Sequence, residues 1–453
     1  MRLPPGPPTR LFGLTAYPAF SGDRIGALTR LARRYGDIVL FRLGRQRMAL
    51  LNHPDHVEDV LVTRARLFRK GRALERAKRL LGNGLLTAEG EAHLRQRRLV
   101  QPSFHKHRID GYARAMVAHA ARTAARWRDG DEIDVAAEMT QLTLTIVGDT
   151  LFGADVESDA RSVRQALTDV FEVFPLTMSP LAPLLERLPL PAVRRYERAQ
   201  ATLDRLIYRF IHDRRQQPGD RGDLLSMLLL ARDDEHHGAP LTDTQVRDEA
   251  LTLCLAGHET TANALTWSWY LLAQHPDVER RLHQEIDTVL GDREAVAADA
   301  AHLPYTRRVV AEVMRCYPPA WGIGRRAVDD VEIGGYTIPR GTVVLLSPYL
   351  LHHDARFFPV PERFDPDRWL PDQQRSRPRF AYFPFGGGNR VCIGESFAWM
   401  EGMLVLATLA QRWRLARVDT KPVPVKALLT LRPARPIRMR ATRRVPYDVR
   451  VTT

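Results

Sequence analysis

The stretch "LTDTQVRDEALTLCLAGHETTANALTWSWYLLAQHP" (241–276) constrains this chain more than any other. Thr242, with Gln245 three residues on, has the capping-box pattern that opens a helix. His275 ahead of Pro276 closes it, because the residue before a proline is pushed out of the α region. A helix over 243–274 would be about 48 Å long at 1.5 Å per residue, enough to cross a whole domain. Its apolar residues lie on every side, as in a helix buried within a core. The middle breaks that pattern with Ala256-Gly257-His258-Glu259-Thr260-Thr261. A glycine in a helix interior costs about 1 kcal/mol relative to alanine, and a glutamate is rarely buried without a partner. Two readings fit: a polar kink satisfied by water, or a place where a ligand approaches the backbone beside a proton donor.

Helical periodicity recurs in "EMTQLTLTIVGDTLFG" (138–153) and "RAQATLDRLIYRFIHDRR" (198–215). Strand patterns are few: 38–51 and 331–347 read as hairpins, and 427–440 is a third candidate. The five prolines of "FPLTMSPLAPLLERLPLP" (174–191) make it an apolar loop, either a packed connection or a lid. No repeat or low-complexity linker divides the chain. The expectation is one domain over 1–453, mainly α with a small β portion.

Three cysteines in 453 residues, Cys254, Cys316 and Cys392, argue against a disulfide framework and for a reducing compartment. No signal peptide and no spanning run of about 18 apolar residues is visible, which points to a cytoplasmic protein. The net charge of +14 is mostly arginine and dispersed along the chain. Neither zinc-finger spacing nor an RNA-reading aromatic strand accompanies it, so nucleic acid is not the expected partner. A solvated basic surface or a docking face for an acidic protein accounts for the charge.

"FGGGNRVCIG" (385–394) places Cys392 just before "IGESFAWMEGMLVLATLAQRW", an amphipathic helix pattern. At a helix N-terminus, unpaired N–H groups and the positive end of the dipole favour an anion. The glycines let the backbone turn tightly and aim further N–H groups at the sulfur, and Arg390 adds a fixed charge nearby. This is a nest for a thiolate that donates to a metal.

The loop resembles the FxxGxRxCxG haem-ligand motif of the cytochrome P-450 family, and "AGHETT" resembles that family's oxygen-activation motif. "EVMR" (312–315) and the "PERF" of "FFPVPERFDPDRW" (357–369) stand between them in the family's order. The resemblance covers essentially the whole chain and implies the cytochrome P-450 fold, with the long central helix over the haem. It implies that Cys392 is the axial thiolate of haem b, with Phe385 packed near the sulfur. Arg390, Arg325 and the His93/Arg97 pair would hold the haem propionates. Glu259 and Thr260 would relay protons to dioxygen, while Glu312, Arg315 and Arg363 would form a structural ion-pair triad.

The implied activity is monooxygenation of an apolar small molecule such as a fatty acid or terpenoid. Ala256, Trp321 and Ile323 are candidate pocket residues. Only 61 residues follow Cys392 (393–453), too few for a fused reductase. NAD(P)H electrons would therefore arrive through an acidic ferredoxin or flavodoxin plus a reductase, docking near the basic stretch 95–106. The alternative is a peroxide-using or peroxide-rearranging haem-thiolate enzyme, whose relatives typically depart from the acid–alcohol pair that is intact here.

Overall fold

The computed structural model describes residues 2–8, 20, 22–153, 160–177, 182–185, 188–233 and 239–445. The molecule is built around helices α1 (Gly90–Val100), α2 (Lys106–Arg126), α3 (Val135–Phe152), α4 (Ala160–Thr177), α5 (Pro191–Gln216), α6 (Asp243–Leu272), α7 (Pro304–Cys316) and α8 (Glu395–Arg412). Both halves of the capping box form on α6: the Gln245 N–H donates to Thr242 Oγ1 (3.3 Å), and the Thr242 N–H to Gln245 Oε1 (2.9 Å). The helix ends two residues sooner than the sequence predicts. From Val246 to Leu272 every residue is buried except Ala256, Gly257 and Thr260.

Helices α3, α5, α7 and α8 pack around α6, and α2 lies against α8. One apolar core runs through them, from Met116 and Met139 to Leu265, Val309 and Leu406. α3 is capped by Asp134, whose side chain accepts the Ala136 N–H, and ended by Gly153 in the left-handed region, the conformation glycine adopts at least cost.

A five-stranded sheet forms a second layer, in the order β1 (Ile38–Leu43), β2 (Gln46–Leu51), β5 (Val343–Leu346), β4 (Ile323–Ala327), β3 (Phe68–Lys70). The β1–β2 hairpin is as predicted, with Ile38 opposite Leu51. The 331–347 hairpin is not. Val331–Ile333 pairs with Tyr336–Ile338 across Gly334-Gly335, both at positive φ. β5 leaves that hairpin to run parallel to β2 and antiparallel to β4. Similarly, 427–440 divides: β6 (Val425–Ala427) and β7 (Leu431–Pro433) form a hairpin, and Arg438–Arg443 joins Trp413–Arg417 and Glu132–Asp134.

Proline misleads over 174–191. α4 continues through Pro175 to Thr177, and Ala182–Leu185 is a short helix. Pro191 opens α5, where its missing N–H is harmless. Residues 178–181 and 186–187 of that loop lie outside the described residues. No helix among the described residues is long and apolar enough to cross a membrane.

Candidate active site

The cysteine loop forms as a tight turn feeding α8. The Cys392 N–H donates to Phe385 O (2.9 Å), and the Gly394 N–H donates to the sulfur. Gly388 has φ +67°, and a Cβ there would stand 2.0 Å from the Leu61 carbonyl oxygen. Gly386 has φ +74°. Here the glycine run is required by chain direction and by close backbone approach. Cys392 has exposed surface, yet burial pushes its thiol up to about 11. The sulfur therefore faces a space enclosed by protein rather than the outer surface. Cys254 and Cys316 are buried core residues.

Beside the loop the structure gathers Lys70, His93, Arg97, Arg325 and Arg390. Arg97 Nη1 donates to Val391 O (2.8 Å), and Arg390 donates to Glu89. Burial brings Lys70 down to about 7, aided by the Arg390 and Arg325 charges. His93 falls to about 4 through burial and then the charges of Lys70, Arg390 and Arg97. Burial, then Arg390, brings Arg325 down to about 10. Each cation opposes its neighbours, and Glu89 is the carboxylate that relieves them. Such a cluster suits a ligand with two anionic groups. Lys70, whose ammonium also donates to Leu85 O (2.9 Å) and Ala88 O (2.5 Å), was not legible in the sequence, because only folding brings β3 to the loop. Arg326 points away and pairs with Glu75, so strand alternation assigns Arg325 to the cluster.

On α6, Ala256 is exposed within an otherwise buried helix, and Thr260 shares its face one turn later. Thr260 Oγ1 donates to Ala256 O (2.8 Å). A Cβ on Gly257 would meet Val147 Cγ2 at 3.2 Å, so this glycine lets α3 pack closely. Thr143 on α3 donates to His258 O (3.0 Å). Glu259 is turned from Thr260 and accepts from Thr430 Oγ1 (2.6 Å), Arg432 Nε (2.5 Å) and Asn263 Nδ2 (3.3 Å).

The family model described as cytochrome P450 matches residues 4–440. The chain is a cytochrome P450. It is 43% identical over 409 residues to cyclooctatin synthase of Streptomyces melanosporofaciens, covering 89% of this chain and 88% of that protein. Pentalenene oxygenase of Streptomyces avermitilis is 39% identical over 418 residues, covering 91% of each. Among solved structures, the cytochrome P450DA heme domain superposes with a TM-score of 0.88 at 30% identity, covering 98% of this chain and 99% of that one. Retinoic acid bound cyanobacterial CYP120A1 also gives 0.88, at 27% identity and the same coverage. The chain is thus a P450 monooxygenase of haem-thiolate type. The open face of Cys392 and the unbalanced cations fit that cofactor, which carries two carboxylates and takes a thiolate ligand.

The P450 fold also corrects the ion-pair triad. Glu312 and Arg315 meet as predicted, both fully buried, with Arg315 Nε and Nη2 each 2.9 Å from a carboxylate oxygen. Arg363 does not join them: its side chain is 71% exposed and, among the described residues, reaches only Asp365, at 4.0 Å. Arg368 takes that place, its Nε donating to Glu312 Oε1 (3.3 Å), next to Trp369 Nε1 on Oε2 (3.0 Å). Arg363 contributes only its carbonyl, to Arg315 Nη2 (3.1 Å). A signal was present in "PERFDPDRW", where Pro-x-Arg-aromatic occurs twice.

Of the candidate pocket residues, Ile323 lies against the cysteine loop, its Cδ1 3.6 Å from a Cβ built on Gly386. Trp321 packs on the cluster around Phe41 and Leu50, and its indole N–H donates to Leu428 O (2.9 Å). Phe385 stacks at a tilt against Trp399, centroids 6.0 Å apart.

Proposed function

We propose that this P450 inserts one oxygen atom from dioxygen into an apolar terpenoid, with Cys392 as the residue that would supply the thiolate to the haem and electrons delivered by separate proteins. RH, O2, two electrons and two protons give ROH and water. The observation that carries this reading is the enclosed, open-faced Cys392 at the head of α8, beside a cation cluster that one carboxylate leaves unbalanced. The printed activities of the relatives, cyclooctatin synthase and pentalenene oxygenase, favour a terpenoid over a fatty acid.

When bound, the haem supplies dioxygen activation and transfer of one oxygen atom. The chain supplies the rest. The Gly394 N–H and the start of α8 stabilise negative charge on the Cys392 sulfur. Arg97, Arg325 and Arg390, with His93 and Lys70, would hold the two carboxylates of the bound group. Phe385 shields the sulfur from water. Ala256 leaves room on α6 for a ligand, and the hydroxyl of Thr260 holds a proton at Oγ1, with Glu259 as its source. Electrons from NAD(P)H reach the site through an acidic ferredoxin or flavodoxin and its reductase. The catalytic unit is one domain over 1–453.

The test is the carbon monoxide difference spectrum of the dithionite-reduced, haem-loaded protein. A Soret band far to the red of histidine-ligated haem is expected for the native chain and for Cys254→Ala and Cys316→Ala. Cys392→Ala is expected to lose it. An unshifted band in the native chain would end the reading. A cyclic terpene hydrocarbon is expected to move the Soret band toward the high-spin position, and a linear fatty acid to do so weakly. The reverse order would replace the substrate class.

A further inference from the structure

The β6–β7 hairpin cannot hold its own tip. Two strands of three residues are marginal at best in water, and the last pair, Ala427 with Leu431, has its bonding groups turned outward. Leu431 gives its N–H to Pro319 O (2.9 Å), and its carbonyl accepts from Trp267 Nε1 (3.4 Å). The carbonyls of Ala427 and Leu428 likewise find donors outside the hairpin, Arg24 Nη1 (3.0 Å) and Trp321 Nε1 (2.9 Å). Two consecutive carbonyls are thus secured by side chains 403 and 107 positions away in the chain.

These anchors come from two layers. Asn263, bonded to Thr430 (3.4 Å), and Trp267 lie on α6, and Trp267 packs in the helical core. Trp321 packs in the sheet-side cluster with Phe41 of β1, Leu50 of β2 and Leu28 of the helix Arg24–Tyr35. Its own carbonyl is fixed by Ser347 Oγ (2.8 Å). Arg24 opens that same helix and also donates to Phe20 O (3.3 Å). The tip is therefore suspended, held by α6 from one layer and by Trp321 and Arg24 from the other. Leu429 at its apex is 36% exposed between a half-buried Leu428 and a buried Thr430. Thr430 bonds Glu259, the neighbour of Thr260. An uncovered aliphatic side chain at this point is apolar surface for a ligand lying against the Ala256–Thr260 face of α6.

We propose that Trp321 and Arg24 are positioning residues that act together as a brace: from the sheet side they fix how far the Leu428–Thr430 tip stands from α6, and so which carbon of the substrate receives oxygen. This rests on the reading of the chain as a terpenoid monooxygenase. Trp321 then serves the pocket from behind, through the hairpin, and its indole need not touch the substrate. Without the indole N–H, the half-buried Leu428 carbonyl loses its donor, an unfavourable state that the tip relieves by shifting. The reaction keeps its balance, RH, O2, two electrons and two protons to ROH and water; only the carbon changes.

The experiment uses the haem-loaded chain with a surrogate ferredoxin, its reductase and NADPH. The probe is the cyclic terpene hydrocarbon that moves the Soret band most, out of a panel of mono-, sesqui- and diterpenes, and its oxygenated products are separated and quantified. Trp321→Phe keeps a ring in the sheet-side cluster and removes the N–H. It is expected to raise oxygenation at other carbons, relative to the main product, about threefold or more. Arg24→Met is expected to move the ratio in the same direction. Leu429→Ala combined with Trp321→Phe is expected to match Leu429→Ala alone, since the brace acts through the tip. Unfolding midpoints and the carbon monoxide spectrum verify that each variant is intact, and if Trp321→Phe loses its haem, Arg24→Met carries the same test. An intact variant that keeps the native product ratio, even at a lower total rate, has lost only a structural contact, and the proposal is overturned. A native chain whose Soret band no member of the panel moves would instead overturn the terpenoid reading, and this proposal with it.

Discussion

Glu312→Ala is expected to cost about 3–5 kcal/mol, the penalty for removing one partner of a buried ion pair. Glu312 Oε1 accepts from Arg315 Nη2, the Asp365 N–H (3.0 Å) and Arg368 Nε, and Oε2 accepts from Arg315 Nε and Trp369 Nε1. Alanine would leave those donors unsatisfied and Arg315 charged in a site with no access to water. A total stability of about 5–15 kcal/mol is usual, so the variant is expected to lose a large share of its fold and most of its haem. Arg368→Ala should fall in the same direction, whereas Arg363→Ala should change stability by no more than about 0.5 kcal/mol, as for an exposed side chain. Urea midpoints of the three variants settle the assignment of the third member. A damaging Arg363→Ala with a silent Arg368→Ala would restore the sequence-based triad.

What the sequence made legible was local. The capping box of α6 and the β1–β2 hairpin depend on neighbours a few residues apart, and each forms as predicted. The tight turn before Cys392 and the helix after it were legible because the glycines and the helical pattern are written next to each other in the chain. The 331–347 hairpin failed at β5, whose partners β2 and β4 are set by packing of the whole sheet. Turn chemistry at Gly334-Gly335 was read correctly and then carried too far. Arg363 was chosen over Arg368 because both follow the same local pattern, and only the position of the segment relative to Glu312 separates them. Arg432 and Lys70 lie far along the chain from the residues they serve. Among so many arginines, nothing in the sequence distinguishes the one that folds onto Glu259.

Glu401 leads to the second large effect. It lies fully buried on α8, and neither carboxyl oxygen has a hydrogen-bond partner among the described residues. The nearby Thr261 hydroxyl donates instead to Gly257 O (3.2 Å). Burial pushes the Glu401 carboxyl from 4.5 up to about 8, and no charged group contributes. The native chain therefore keeps a proton that the unfolded chain releases above about pH 4.5. The unfolded state binds fewer protons throughout that window, so stability falls as pH rises from about 4.5 to 8 and then levels off. At about 1.4 kcal/mol per pH unit, the loss has an upper bound of about 5 kcal/mol. Glu249 adds to the same trend, raised to about 7 mainly by burial. Lys70 opposes it above about pH 7, because the native chain sheds its proton before the unfolded chain does. Comparing two proteins at each pH cancels both. Glu401→Gln keeps the shape of the side chain and cannot ionise. It is expected to match the native chain near pH 5 and to exceed it by about 2–5 kcal/mol at pH 8, measured by urea unfolding of the haem-loaded proteins. A difference that stays constant from pH 5 to 8 would mean that Glu401 titrates alike in both states, and that its carboxyl finds a partner in solution.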